Sequence, residues 1–180
     1  MAKSIAVLPE TEHEYLTITG KISVVLAVFL FAQLWSEIVT GTDSVVNWIL
    51  DLTLFASVIY CIVLSVKSMK FAKHITRMGY WTLKFNDEYV DHVSSASLRA
   101  TCHIMVIGAI FLAYSGDNKW FVELIAPFGI TDAIQMLLGL ATATHGELIL
   151  WNLREEEHFD EEPGDKDLGN KKRDEEMLDE

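Results

Sequence analysis

An all-α, polytopic integral membrane protein is the fold class this sequence predicts, with four transmembrane helices arranged as two antiparallel hairpins. Three observations predict it. Just over half of the 180 residues (51%) are hydrophobic, and they gather into four blocks rather than alternating with polar residues. The charged residues are segregated into the ends and connections. Lys67, Lys70, Lys73, Arg77, Lys84 and Arg99 all fall in the single connection 67–99, whereas no other inter-block loop holds more than one Lys or Arg.

The first block is Ile22–Val39, 18 residues whose strongly polar members, Gln33, Ser36 and Glu37, crowd its far end. A spanning helix needs about 20 apolar residues, so this is the first transmembrane helix, with Trp35 near an interface. Residues 1–21 precede it as a polar segment, with Glu10, Glu12 and Glu14 around His13 and Pro9 ahead of a short surface helix. The acidic character of that segment argues against a signal peptide. Gly41, Thr42 and Asp43 make a turn so short that the next helix, Val45–Val66, runs back beside the first.

That second span contains one ionisable residue, Asp51, which is expected to face the interior of the bundle because lipid does not solvate a charge. Gln33, Glu37, Asn47 and Asp132 are its expected neighbours by depth. Beyond Val66, Lys67, Lys70, Lys73 and Arg77 recur every three or four residues between Phe71, Ile75 and Met78. The pattern suits a helix leaving the membrane along its surface, with Tyr80, Trp81 and Phe85 at headgroup depth. These bases, with Lys84 and Arg99, set orientation and meet lipid headgroups.

Ser94, Ser95 and Ser97 offer caps for the third helix, whose apolar part runs from Ala96 to Tyr114 and includes Arg99 and His103. Trp120–Pro127 is too short to span and is expected to lie at the interface. Thr131 then caps the fourth helix, Asp132–Trp151. A tail from 154 to 180 follows. From Arg154 it holds 13 acids and 5 bases, so most of the net charge of -12 sits there; its scarcity of apolar residues predicts disorder, and its charge suits a basic partner. The basic connection between spans puts both termini on the cytoplasmic side, with the plasma or inner membrane as the expected location.

Chemistry is harder to find. The chain has no nucleotide loop, no GxSxG, no HExxH and no CxxC, and the acidic balance excludes nucleic acid as a partner. No metal site is predicted. Cys61 and Cys102 lie in apolar blocks as buried thiols rather than a disulfide framework.

Three function classes compete. The first is a non-enzymatic membrane protein that self-associates or serves as an accessory subunit of a larger complex. It rests on Gly139, Thr142, Ala143 and Gly146, which recur every three or four residues and let helix backbones approach. The second is a cation or proton pathway through the outer-half carboxylates Glu37, Asp51 and Asp132. The third, a b-type haem or quinone-linked redox subunit, needs His103 and His145 to face each other near Glu147. No cofactor is expected in the first two classes.

Overall fold

The computed structural model describes residues 8–39, 44–73, 82–116, 118–125 and 129–159. The described residues are helical apart from short connections, and four helices are long and apolar enough to cross a membrane. In chain order the helices are α1 (Pro9–Val39), α2 (Ser44–Met69), α3 (Glu88–Ser115), α4 (Lys119–Ile125) and α5 (Ile130–Phe159), and a single 3₁₀ turn, Lys70–Lys73, extends α2. Arg77, Tyr80, Trp81, Asp117, Pro127 and the acidic tail beyond Phe159 lie outside the described residues.

Two helices begin well before their apolar blocks. α1 starts at Pro9, where a missing N–H costs nothing, and Leu8 O accepts from Thr11 N at 2.9 Å. Polar residues do not by themselves end a helix, so Glu10–Thr19 joins the apolar block in one 31-residue rod. α3 starts at Glu88 rather than among the serines. Asp87 is the N-cap, its carboxylate accepting from Tyr89 N and Val90 N at 3.0 Å. Ser94 and Ser97 are instead buried, donating to Leu83 O (2.7 Å) and Ser94 O (2.8 Å).

Thr131 does not cap α5 either. Gly129 occupies the cap, and Asp132, three residues on, accepts from its N–H at 2.7 Å, the reciprocal half of a capping box. At the same end α4 is held by Phe121, whose ring meets Phe111 of α3 edge to face at 5.3 Å.

The helices form an open row, α2–α1–α5–α3, rather than the four-helix bundle whose interior the sequence has Asp51 facing. α1 packs on α2 and α5, and α5 packs on α3. Among the described residues the remaining pairs of long helices touch only marginally.

Small residues set the central contact. A Cβ on Gly139 would meet the Phe31 ring, and one on Gly20 would meet Ile149. One on Gly146 would lie 2.6 Å from Gly20 O and 2.8 Å from Val24 N. On the other side of α5, Leu137 fills the space beside Gly108 of α3.

α2 turns one stripe toward α1. Asn47, Leu50, Leu54, Ser57, Cys61, Leu64 and Ser68 alternate in steps of three and four and are less exposed than most of their neighbours, the spacing that keeps one seam of a helix against its partner.

Candidate functional site

Two groupings of polar residues stand out against this apolar row. The first closes the end of the molecule that holds the starts of α1 and α3. Glu12 is only 2% exposed, yet its carboxylate accepts from Asn86 N, Asn86 Nδ2 and Asp87 N at 2.9–3.2 Å. These donors precede the first turn of α3, so the carboxylate also sits where the helix dipole favours negative charge.

The strap that presents them, residues 82–87, is fixed twice more, by Phe85 N donating to Asp91 Oδ1 (2.9 Å) and by Ser94 Oγ donating to Leu83 O. Leu83 is held at φ 53°, a left-handed conformation that a leucine adopts only when its surroundings enforce it. Around this node Tyr15, Leu16, Phe71, Phe85, Val90 and Val93 form a core, with Tyr15 tilted on both phenylalanine rings at about 6 Å. Tyr89 Oη ties α3 to the end of α5 by donating to Asn152 O at 2.6 Å. This arrangement is structural clamping. Phe85, expected at headgroup depth, belongs to the core.

The second grouping consists of ionisable side chains within the apolar stretches. Asp51 is exposed on α2 and does not face the interior of the row. It lies one position outside the Asn47–Leu50–Leu54 stripe, and because among the described residues α2 packs extensively only on α1, no second described helix covers it. His103 is exposed on α3. Neither residue makes a hydrogen bond or ion pair among the described residues. Glu147 is exposed on α5, in an open, mostly apolar groove against Val24, Leu148, Trp151 and Arg154.

The two histidines of the redox reading are not brought together. The ring of His145 lies beside the Ser97 backbone of α3, six residues or about 9 Å along the helix from His103, which points away from α5. His145 Nδ1 is buried without a hydrogen-bond partner among the described residues. The three carboxylates of the ion-pathway reading are likewise dispersed. Asp132 serves the α5 cap, Glu37 is exposed near the end of α1, and Asp51 lies out on α2. The interior polar link at that end is Gln135, whose Nε2 donates to Leu30 O at 2.9 Å.

The small-residue face belongs to the chain's own packing. Gly139 and Gly146 receive α1, and Thr142 spends its hydroxyl on Leu138 O and Gly139 O of its own helix, with Ala143 half-buried beside it.

Of the basic residues, Lys67, Lys70, Lys84 and Arg99 are exposed. Lys70 Nζ lies 3.9 Å from Glu14 Oε1 and 5.3 Å from the Phe71 ring centroid, and Arg99 Nε donates to Ser95 O at 3.1 Å. Of Lys73 only the backbone is described.

Sequence reasoning missed Glu12. Its signal was phase: with α1 extended back to Pro9, Glu12 shares a face with Tyr15, Leu16 and Thr19, and a charged residue on an apolar face calls for donors. No group of three or more metal-ligating side chains occurs among the described residues. Comparison with protein-family models, curated proteins and solved structures finds no match to this chain.

Proposed function

We propose that this is a non-enzymatic, multi-pass membrane protein that works by assembling with other membrane-embedded chains, either copies of itself or the subunits of a larger complex. In this reading α1 with α2, and α3 with α5, form two antiparallel hairpins across the bilayer. Both termini and the basic connection 67–99 lie on the cytoplasmic side of the plasma or inner membrane. Lys67, Lys70, Lys84 and Arg99 support that orientation because they are exposed and available to headgroups.

One observation carries the reading. Asp51 and His103 sit within stretches apolar enough to span, on the two helices at the ends of an open row, exposed and unpartnered among the described residues. Lipid offers neither group a partner, and a charged side chain near mid-bilayer costs about 3 kcal/mol on insertion scales. A further protein surface relieves that cost by covering both helices.

The test is the composition of the particle extracted in mild detergent. The reading expects more than one chain per particle, and a particle of one copy with no other protein would overturn it.

A further inference from the structure

We propose that the partner is a second copy of this chain, docked head to tail, with the outer face of α3 from one copy against α2 of the next so that His103 meets Asp51. This rests on the self-association reading above and specifies its surface.

Charge and depth carry the inference together. The row exposes two end helices. One bears a carboxyl group and the other an imidazole, and neither has a partner among the described residues.

The contacts inside the row fix their relative height. Tyr15 lies on Phe71, Phe31 on Gly139 and Leu137 on Gly108, so residues near 35 on α1, 135 on α5 and 110 on α3 are level with Asp51. His103 is within two helical turns, about 10 Å, of that level. A tilt of one copy closes the difference.

The alternative, like helix against like, would place Asp51 on Asp51 and leave His103 in lipid. Head-to-tail contact instead gives each ionisable group a partner of the other kind. Arg99, one turn from His103 on the same exposed side of α3, is near enough to the polar end to snorkel and does not compete for the acid.

Two positions flank this contact without belonging to the pair. Phe55, one turn from Asp51, is 65% exposed, and Cys102 beside His103, expected from the sequence to be buried, is exposed. They lie on opposite end helices of one chain, so a disulfide between them is intermolecular.

The full chain carrying Phe55→Cys and Cys61→Ser is oxidised in native membranes with copper–phenanthroline and run on a denaturing gel without reductant. The expected result is a ladder of dimers, trimers and larger species, abolished by adding Cys102→Ser. Dimers alone that persist without Cys102 mean α2 against α2 and overturn the proposal. No cross-link, in a sample that is multimeric by mass, overturns the head-to-tail surface and leaves self-association standing. Single copies by mass overturn both.

Exchanging the pair, Asp51→His with His103→Asp, provides the second arm. It should keep assembly near the parent level, while Asp51→Leu or His103→Leu alone lowers the multimeric fraction severalfold. Equal loss in the exchanged and single variants also counts against the pairing.

Discussion

Glu12 shows how much one buried side chain can organise. Among the described residues its carboxylate is the only acceptor for Asn86 N and Asp87 N, so removing it strands part-buried donors and loosens the strap that starts α3. Glu12→Ala is therefore expected to destabilise the protein by about 3 kcal/mol, read as a drop in unfolding midpoint in mild detergent. Glu12→Gln keeps one acceptor oxygen but turns an NH₂ toward a donor, and should fall between the parent and Glu12→Ala. An unchanged midpoint for Glu12→Ala would show that water or another acceptor takes over. His145 makes the opposite case, because its Nδ1 is buried without a partner and the Ser97 carbonyl beside it already accepts from Thr101 Oγ1 at 2.8 Å. His145→Leu should leave stability unchanged or raise it by up to about 1 kcal/mol in the same assay. A large loss would mean that the ring makes a bond essential to the α3–α5 contact.

At the scale of elements, the glycines on α5 set how closely α1 approaches. A Cβ at position 146 meets backbone atoms, Gly20 O and Val24 N, which cannot turn aside, whereas one at 139 meets the ring of Phe31, which can. Gly146→Ala should thus cost about 2 kcal/mol and Gly139→Ala clearly less, with the order checked by thermal unfolding. Gly139→Leu and Gly146→Leu should impair folding of the single chain before they affect any assembly. The small-residue rhythm was legible in the sequence, but its partner was not, since a stripe of Gly, Thr and Ala looks the same whether it receives a helix of its own chain or of another. The positions of the four apolar blocks were equally legible. The extra turns of α1 and α3 were not, because apolarity marks what suits lipid and not where hydrogen bonding stops. The α3 start was recoverable only from Asp87 and the first-turn Glu88, signals that three serines downstream obscured.

At the scale of the molecule, an open row has more exposed surface than a closed bundle of the same helices, and here that surface includes Asp51 and His103. The sequence led to an inward-facing Asp51 because a closed bundle gives every helix two neighbours. In the row, the two end helices have one each. That difference turns the ionisable residues from internal contacts into the strongest support for a partner in the membrane. It also separates His103 from His145, and Asp51 from Asp132, which weakens both cofactor and ion-pathway chemistry within one copy. The central claim is that the chain does not stand alone in a bilayer. Its most direct test is to count chains in place, by tagging each copy with one fluorophore, releasing native membrane patches into nanodiscs and recording bleaching steps from individual particles. The account predicts that most fully labelled particles bleach in two or more steps, and that Asp51→Leu shifts them toward one. Particles of the parent protein that bleach in a single step and carry no other protein would contradict it.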